Sequence, residues 1–508
     1  MRLVELASLF TVSRIIGDPD TDISGIETDS RKVKPGDLFI CLPGHTVDGH
    51  QFAAQAVQQG AKALVVERDV DVPGVPKLVV KDSRFAMAVI SNHFFGYPSQ
   101  ELKLIGVTGT NGKTTTTFLI EHILRNHGFR TGLMGTIQMK IGDCVFDVKN
   151  TTPDALELQK NFRRMADIGT DYCVMEVSSH ALEQGRVKGC DFRTALFTNL
   201  TQDHLDYHRT MDKYREAKGL LFARLGNTFS RQASSRKFAV LNADDPASSY
   251  FQKQTSAEVI TYGIDNAADV RAENIRMTGQ GTEFTVKSFA GEARVALQLF
   301  GRFNVYNALG AIAATLVEGV PLSVVTASLE QVKGVPGRFE SVREGQDFLV
   351  IVDYAHTPDS LENVLKTITD FAAARIICVV GCGGDRDRGK RPIMAQIAAR
   401  YSDYTIITSD NPRSEDPEQI MREMEKGLID QGVSRQCYEL IADRKKAIEK
   451  AVEMASPKDV VLIAGKGHET YQEIQGVRHD FDDRLVAKNA IRRIRLDQTH
   501  IAPPAEHD

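Results

Sequence analysis

A seven-residue segment, Gly109 to Thr115, constrains the fold of this chain more than any other feature of the sequence. It follows the strand-like apolar run 102–108 and precedes the amphipathic pattern 116–127, which is typical of a helix. In that setting glycines let backbone N–H groups surround a phosphate, and the helix N-terminus favours negative charge. Lys113 adds a positive charge and Thr114 can bind Mg²⁺. The segment therefore predicts an α/β sheet with a nucleotide phosphate site at its edge.

The loop departs at one position from the full pattern G-x-x-x-x-G-K-[ST], because Val107 stands where the first glycine is expected. An ordinary strand–helix turn that carries a chance Lys-Thr pair is the alternative interpretation. We favour a nucleotide loop, since the glycines, the lysine and the hydroxyl fall in the required order. The candidate nucleotide ligands here are Gly109, Thr110, Asn111, Gly112, Lys113, Thr114 and Thr115.

The domain organisation follows from length and patterning. A chain of 508 residues is too long for one hydrophobic core. Short apolar runs alternate with amphipathic stretches along most of it, which indicates α/β architecture with largely parallel sheets. A break at Gly334, Pro336 and Gly337 separates two such blocks. We predict three domains that span residues 1–98, 99–333 and 334–508.

Composition and charge exclude several classes of partner. The net charge of -5 gives no general basic footprint for nucleic acid. The 7 cysteines are odd in number and far apart, and form neither a disulfide framework nor a zinc pattern, which favours a reducing compartment. No signal-peptide cleavage site follows the first residues, and no apolar run approaches the roughly 20 residues that span a bilayer. We expect a cytoplasmic monomer with no nucleic-acid partner and no membrane insertion.

Several further motifs carry a family resemblance when they are taken together with the glycine loop. They are Asn150-Thr151-Thr152-Pro153, Glu176-Val177-Ser178-Ser179-His180, the run from Thr198 to His208, Asp353-Tyr354-Ala355-His356-Thr357-Pro358, and Asp410-Asn411-Pro412-Arg413. Over nearly its entire length the chain resembles the Mur ligases and the related folylpolyglutamate synthetases, which use this shortened loop. The resemblance implies a central phosphate-loop ATPase domain with a parallel sheet, an N-terminal α/β UDP-binding domain and a C-terminal Rossmann-like domain.

The resemblance also implies a reaction. ATP activates a substrate carboxylate as an acyl phosphate, which an amine then attacks to form an amide. The sequence is most similar to the family members that add the third amino acid to UDP-N-acetylmuramoyl-L-alanyl-D-glutamate during peptidoglycan precursor synthesis. We therefore expect this dipeptide, ATP and meso-2,6-diaminopimelate as substrates. The alternatives are the same ligase with L-lysine, a ligase like folylpolyglutamate synthetase, and a phosphate-loop nucleotide switch or binding module.

The metal and catalytic residues are implied by the same resemblance. Glu176 ends an apolar strand-like run, and the resemblance makes it a ligand of one Mg²⁺ together with Thr114. His204 would serve a second ion, with Lys218 carbamylated by CO₂, which converts a cation into an oxygen-donor anion. Lys113, His204 and Lys218 are the expected catalytic residues. The alternatives are a surface histidine and a solvated lysine on a helix.

Two groups of substrate contacts are assigned by resemblance. Helix capping is the alternative for Asn307, an N-cap is the alternative for Thr151 and Thr152, and a tight turn is the alternative for His45. His356 is also expected near the nucleotide. The ATP base and ribose contacts are Asn307, Arg338 and Asp353. The UDP-muramoyl-dipeptide contacts are Ser30, His45, Asn150, Thr151, Thr152, Ser178, Gln184 and Arg186.

The last group should select the amine. The glycine-rich run 381–386 is not a dinucleotide fingerprint, because Arg386 stands at the final glycine position. Arg386 and Arg413 are instead suited to bidentate binding of carboxylates, and diaminopimelate differs from lysine by a distal carboxylate. A surface salt bridge from Arg413 to Glu415 or Asp416 is the alternative. The expected diaminopimelate contacts are Arg386, Asp410, Asn411, Pro412, Arg413, Gly465 and Glu469.

Overall fold

Three large β-sheets, each flanked by helices, and one separate hairpin make up the protein. The structure is a computed structural model, and it describes residues 1–44, 47–226, 235–278 and 281–501, with the backbone alone from residue 496 onward. None of the helices in these ranges combines the length and the apolar character needed to cross a lipid bilayer.

The N-terminal sheet has five strands. Its elements are α1 (Leu3–Ala7), β1 (Arg14–Ile16), β2 (Gly25–Glu27), β3 (Asp37–Ile40), α2 (Ala53–Gln58), β4 (Ala63–Val66), β5 (Lys77–Val79) and α3 (Ser83–Phe94). The strand order is β1-β5-β4-β3-β2, and all pairs are parallel except β1 with β5. Its core includes Ala155 and Leu156 of the next layer, so this sheet packs against the central part of the molecule.

The central sheet has eleven strands. Its elements are β6 (Lys103–Thr108), α4 (Lys113–Asn126), β7 (Thr131–Met134), β8 (Met139–Ile141), β9 (Cys144–Phe146), α5 (Ala155–Asp167), β10 (Tyr172–Glu176), α6 (Ser179–Glu183), β11 (Phe192–Phe197), α7 (Leu205–His208), α8 (Met211–Ala223), β12 (Phe238–Asn242), α9 (Ser248–Gln254), β13 (Glu258–Gly263), β14 (Val270–Thr278), β15 (Gly281–Ser288), β16 (Gly291–Leu297), α10 (Arg302–Leu316) and α11 (Leu322–Glu330). The order is β16-β15-β14-β13-β12-β11-β6-β10-β7-β8-β9. The strands from β14 to β7 run parallel, and antiparallel strands extend the sheet at both ends.

The C-terminal sheet has six strands, and the hairpin follows its last strand. The elements are β17 (Glu340–Val342), β18 (Leu349–Asp353), α12 (Pro358–Thr369), β19 (Ile376–Val380), α13 (Lys390–Tyr401), β20 (Tyr404–Thr408), α14 (Pro417–Asp430), β21 (Tyr438–Ile441), α15 (Arg444–Met454), β22 (Val460–Ala464), β23 (Tyr471–Ile474), β24 (Val477–Asp480) and α16 (Asp483–Ile501). The order is β17-β18-β22-β19-β20-β21, parallel except for β17, while β23 and β24 pair antiparallel.

The burial of the central strands explains why their sequences are continuous apolar runs. A parallel strand covered by helices on both faces is a continuous apolar run without alternation. Ile376–Val380 and Val460–Ala464 are buried throughout, and the apolar run 102–108 forms β6. The predicted α/β fold class with parallel sheets is confirmed. The domain boundaries at residues 98 and 333 stay a prediction.

A buried ion pair joins the starts of α15 and α16. Arg444 donates from Nε and Nη2 to both carboxylate oxygens of Asp483 at 2.8 and 2.7 Å, and both side chains are 0% exposed. Arg444→Met leaves a buried carboxylate without its counter-charge, so the free energy of unfolding should fall by about 3–5 kcal/mol, measured by urea denaturation. Arg435, which is 67% exposed and pairs with Glu425, supplies the control, because Arg435→Met removes a solvated charge and should cost less than about 1 kcal/mol. Equal losses in the two variants would contradict this expectation.

Candidate active site

A cavity of about 420 Å³ opens where the carboxyl edges of the central and C-terminal sheets face each other. One wall consists of residues 110–114 and Glu176, which follow or end the neighbouring strands β6 and β10. The opposite wall includes Gly381, Asp410 and Gly465, which follow the neighbouring strands β19, β20 and β22. Open parallel sheets bind their ligands at this edge. The cavity therefore brings together residues that lie in distant parts of the chain.

The phosphate loop is held in one shape by tertiary contacts. Gly109 and Gly112 have φ of +150° and +85°, and a Cβ on Gly112 would collide with Oδ1 of Asn307. The N–H of Thr110 donates to the carbonyl of Asn199 at 2.8 Å. Oγ1 of Thr198 donates to the carbonyl of Asn111 at 2.6 Å. Only glycine fits at the turn positions, as the sequence motif predicts.

Lys113 is the first residue of α4, and its side chain folds back over the phosphate loop. Its Nζ donates to the carbonyl oxygens of Gly109 at 2.9 Å and Thr110 at 2.8 Å. Burial lowers the pKa of this ammonium, against the opposing effect of Glu176. The positive group thus lies inside the loop that would surround a phosphate.

Glu176 and Thr114 form the oxygen-rich part of the cavity. The buried Glu176 carboxylate accepts from Oγ1 of Thr114 at 3.0 Å, and from N and Oγ1 of Thr136 at 2.7 and 3.0 Å. In the chain segments that the structure describes, no group of three or more His, Cys, Asp or Glu side chains could hold a metal ion. A cation here would therefore have few protein ligands and keep water or phosphate oxygens, which is how Mg²⁺ binds. These residues fit Mg²⁺.

Thr136 was not predicted from the sequence. It follows β7, the parallel neighbour of β10, and so reaches the same sheet edge as Glu176. A hydroxyl residue just beyond a parallel strand is the signal that could have identified it. Thr136 orients the Glu176 carboxylate rather than lining a separate site.

Lys218 on α8 is 1% exposed, so the alternative of a solvated helix lysine is wrong. Its Nζ donates to the carbonyl of Gly109 at 2.8 Å and lies 4.3 Å from the ring centroid of Tyr214. Burial, with a smaller effect of Lys113, lowers the pKa of Lys218 well below its ordinary value. The described residues give this amine no carboxylate partner within ion-pair distance. Burial thus favours the neutral amine, which is the form that reacts with CO₂.

His204 lies at the start of α7 and lines the same cavity. Its φ is +55°, and its Nε2 lies 3.3 Å from Oδ2 of Asp203. Its side chain is 41% exposed, so it is not enclosed in the way that Lys218 is. Burial lowers the pKa of the imidazole, and the charges of Lys218 and Lys113 act in the same direction. The neutral ring is therefore favoured, with a nitrogen free to bind a ligand.

A second cavity of about 390 Å³ adjoins the loop at Asn111 and Gly112. The three predicted base and ribose contacts line it, and so does His356: the set is Asn307, Arg338, Asp353 and His356. Nη2 of Arg338 donates to Oγ1 of Thr114 at 3.0 Å, which links this cavity to the first. Asp353 accepts from the N–H groups of Phe339 and Ala355, and burial raises its pKa.

The capping interpretation of Asn307 is wrong. Helix α10 begins at Arg302 with Gly301 as its N-cap, and no side chain caps it. Asn307 instead donates from Nδ2 to Oδ1 of Asn304 at 3.0 Å. Asn304 thus orients Asn307, a positioning role that the sequence alone did not reveal.

Five predicted dipeptide contacts line the larger cavity, namely Asn150, Thr151, Thr152, Ser178 and Arg186. Oγ1 of Thr152 donates to the carbonyl of Glu176 at 2.8 Å, and Nη1 of Arg186 donates to the carbonyl of Thr152 at 2.9 Å. The N-cap of α5 is Asp154, so the capping alternative for the two threonines is wrong. Gln184 does not line the cavity, but its Oε1 accepts from Nη2 of Arg186 at 2.8 Å.

Ser30, a predicted contact in the N-terminal sheet region, is separate from this cavity. Ser30 is buried and donates from Oγ to Oε1 of Gln55 at 2.9 Å. Ser30 is not among the residues that line either cavity at the phosphate loop. His45 lies outside the described residues.

Two arginines without acidic partners project from the C-terminal wall. Arg386 and Arg413 both line the larger cavity, and the described residues give neither of them a carboxylate within ion-pair distance. Glu415 pairs instead with Arg388 and Arg391, and Asp416 pairs with Arg422. The surface salt bridge proposed as the alternative for Arg413 is therefore wrong.

A buried lysine organises the rest of this wall. Lys466 is 0% exposed, and its Nζ donates to Oδ1 of Asn411 at 2.9 Å and to Oε2 of Glu469 at 2.8 Å. Asn411 also donates from Nδ2 to Oε2 of Glu469 at 2.8 Å. Burial raises the pKa of Glu469, and Oδ2 of Asp410 is buried without a hydrogen-bond partner. Lys466 was missed from the sequence, although its place between two glycines beyond β22 marks a sheet-edge loop.

Family models match most of the chain. The Mur ligase family catalytic domain matches residues 22–121, the Mur ligase middle domain matches residues 107–315, and the Mur ligase glutamate ligase domain matches residues 337–467. These matches fall on the three sheets in order.

Individual proteins match over nearly the full length. A UDP-N-acetylmuramoyl-L-alanyl-D-glutamate--2,6-diaminopimelate ligase of Bacillus cereus is 54% identical over 97% of this chain and 98% of its own. The enzyme of the same name from Geobacillus thermodenitrificans is 55% identical, over 94% and 96%. A solved structure of a ligase with this name is 36% identical, with a TM-score of 0.67 over 99% of this chain and 100% of its own.

A more distant structure shares the fold. MurF from Thermotoga maritima in complex with ADP is 18% identical, with a TM-score of 0.64 over 94% of this chain and 98% of its own. The fold and the relatives together define an ATP-dependent ligase that forms a C–N bond. The chain belongs to the Mur ligase family.

Proposed function

We propose that this ligase adds meso-2,6-diaminopimelate to UDP-N-acetylmuramoyl-L-alanyl-D-glutamate, with ATP as co-substrate. The observation that carries the proposal is the cavity of about 420 Å³, where the phosphate loop and the dipeptide residues meet two arginines to which the described part of the chain offers no carboxylate partner. The relatives that are 54–55% identical bear the name of this activity. We place the enzyme in the cytoplasm, in line with its 7 cysteines, which are all free. We also propose that it acts as a monomer.

In the first step, a carboxylate oxygen of the dipeptide attacks the γ-phosphorus of ATP. A P–O bond forms to the carboxylate, the bond to the β-phosphate oxygen breaks, and ADP leaves with that electron pair. Lys113 would exchange its two carbonyl partners for phosphate oxygens, and other N–H groups of the loop would donate hydrogen bonds to the charged phosphate oxygens. Asn307, Arg338 and Asp353 would bind the base and ribose in the adjoining cavity.

Two Mg²⁺ ions fit the acidic side of the cavity. Thr114 and Glu176 would hold one ion, and His204 with carbamylated Lys218 would hold the other. When bound, the ions offset the negative charge that accumulates on the phosphates. Arg186 and Thr152 would keep the dipeptide carboxylate aligned with the phosphate, since Arg186 donates to the Thr152 carbonyl and Thr152 donates to the Glu176 carbonyl.

Lys218→Ala should lower the rate of phosphate release by about 10²-fold or more, because the proposed carbamate, an oxygen-donor anion for the second metal ion, is lost. Short carboxylic acids such as acetate should restore part of the rate, since they can occupy the space that the side chain leaves. Lys213→Ala, on the same helix, provides the control and should keep normal activity. Unchanged turnover of Lys218→Ala, or a loss that carboxylic acids do not relieve, would contradict carbamylation.

In the second step, the neutral amine of diaminopimelate attacks the acyl carbon. The C–N bond forms and the attacking nitrogen gives up a proton to solvent. The tetrahedral intermediate then collapses as the C–O bond breaks, and phosphate leaves with that electron pair. We assign the distal carboxylate of the amine substrate to Arg386 and Arg413, and its distal ammonium to Glu469 with Gly465. Asp410, Asn411 and Pro412 would complete the loop that carries Arg413.

The uridine end of the substrate would reach the N-terminal sheet. Ser30 and His45 are the proposed contacts there. Ser178 and Gln184 are proposed contacts for the muramoyl-dipeptide part, since Ser178 lines the cavity and Gln184 accepts a hydrogen bond from Arg186. We also propose that the three sheets belong to domains 1–98, 99–333 and 334–508. Substrates held by different domains would be brought together by domain closure.

A phosphate-release assay with ATP, the UDP-muramoyl dipeptide and a panel of amines tests the function. We expect release only when the dipeptide is present, with diaminopimelate as the preferred amine. Preference for L-lysine would show that lysine, and not diaminopimelate, is the amine substrate. Activity on a folate substrate would show that the enzyme acts as a folylpolyglutamate synthetase. ATP hydrolysis that ignores the dipeptide would instead indicate a nucleotide switch.

A further inference from the structure

The hairpin of β23 and β24 is bonded to the loop that follows β20. Gln472 donates from Nε2 to the carbonyl of Asp410 at 2.7 Å. The N–H of Glu473 donates to Oδ1 of Asn411 at 2.9 Å. The hairpin is not part of the six-stranded sheet, so these bonds are made to the loop rather than to a neighbouring strand.

The same hairpin forms hydrogen bonds with both the N–H and the carbonyl of Arg413. The N–H of Arg413 donates to the carbonyl of Glu473 at 3.0 Å, and its carbonyl accepts from the N–H of Gln475 at 2.6 Å. Arg413 has φ of +51°, a left-handed conformation that is unfavourable for a residue with a Cβ. The hydrogen bonds therefore hold a strained backbone, and the guanidinium is directed across the cavity wall to the carbonyl of Gly384 at 2.6 Å.

We propose that the hairpin 471–480 is a specificity element, in which Gln472 positions Arg413 to bind the distal carboxylate of the amine substrate. This inference rests on the proposed function. Gln472 is half-buried and is not among the residues that line the cavity, so it acts through the loop and not on the substrate. The amine selected in this way is an amino acid with a carboxylate at the end of its side chain.

Gln472→Met tests the proposal, because methionine has a similar length but cannot donate to the Asp410 carbonyl. We expect KM for diaminopimelate to rise about tenfold, which corresponds to one hydrogen bond, while KM for ATP and for the dipeptide stays unchanged. The ratio of kcat/KM for diaminopimelate over lysine should fall by a similar factor. Gln472→Lys restores a donor and should recover most of the ratio.

Val477→Thr is the matched control, since Val477 lies on the other strand of the hairpin and is 56% exposed. A hairpin that only stabilises the fold would lower the melting temperature of Gln472→Met and leave the amine ratio unchanged. That result would overturn the inference. If Gln472→Met is poorly soluble, Gln472→Lys compared with Gln472→Ala gives the same contrast.

A double-mutant cycle with Arg413→Ala shows whether Gln472 acts through Arg413. In the Arg413→Ala background, Gln472→Met should change the amine ratio no further. Effects that simply multiply would contradict the positioning role. Failure of the wild-type enzyme to use diaminopimelate would instead reject the proposed function, so the two failures are distinguishable.

Discussion

Lys113→Ala is expected to lower the rate of dipeptide-dependent phosphate release by about 10³-fold or more. The side chain is the cation enclosed by the phosphate loop, where its Nζ is 2.9 and 2.8 Å from two loop carbonyls. Removing a charge from an enclosed phosphoryl-transfer site typically costs this much in rate. Single-turnover phosphate release at saturating ATP measures the effect on the chemical step.

Lys103→Met is the matched control, because Lys103 begins the strand that Lys113 follows and lies at its opposite end. That variant should keep nearly normal rates. Amide formation at normal speed by Lys113→Ala would refute the assignment of the loop, and with it the proposed activation of the dipeptide carboxylate.

Arg413→Met should lower kcat/KM for diaminopimelate by about 10³-fold and affect lysine much less. A site built to pair a buried carboxylate discriminates strongly, because the missing partner leaves a polar group unsatisfied. Arg413 is available for this role, since Glu415 and Asp416 pair with other arginines. Initial rates with each amine, at fixed ATP and dipeptide, measure the ratio.

Arg422→Met provides the comparison, because Arg422 pairs with Asp416 on the exposed face of α14. Its amine ratio should equal that of the wild type. A parallel fall in kcat/KM for both amines in Arg413→Met would indicate a general defect and reject Arg413 as the selecting residue.

The sequence predicted the parts of the fold that depend on local pattern. Buried parallel strands are apolar runs in the sequence, and the loop after β6 is marked by glycines, which adopt positive φ. The strands and the loop could therefore both be predicted from the sequence. Glu176 was predicted at the end of β10, and Thr114 contacts it as expected of two residues at one sheet edge. Predicting these features requires only the local sequence and the general rule that ligands bind at the carboxyl edge of a parallel sheet.

Other features depend on contacts between distant segments and have little signature in the local sequence. The complete burial of Lys466 and Lys218 is set by the packing of loops around them, whereas the residue type favours exposure. The left-handed backbone of Arg413 is imposed by the hairpin, and neither element predicts the other. The antiparallel strands at both ends of the central sheet were likewise not distinguished from parallel ones.

The support of the phosphate loop by residues 198–201 has a consequence for biosynthesis. The loop N–H of Thr110 and the carbonyl of Asn111 are both bonded to this later segment, and β6 lies between β10 and β11. A ribosome releases the glycine motif well before it releases these partners, and non-local strand pairing is slow. The phosphate loop of the growing polypeptide therefore reaches its nucleotide-binding conformation late, after β11 has been translated and paired.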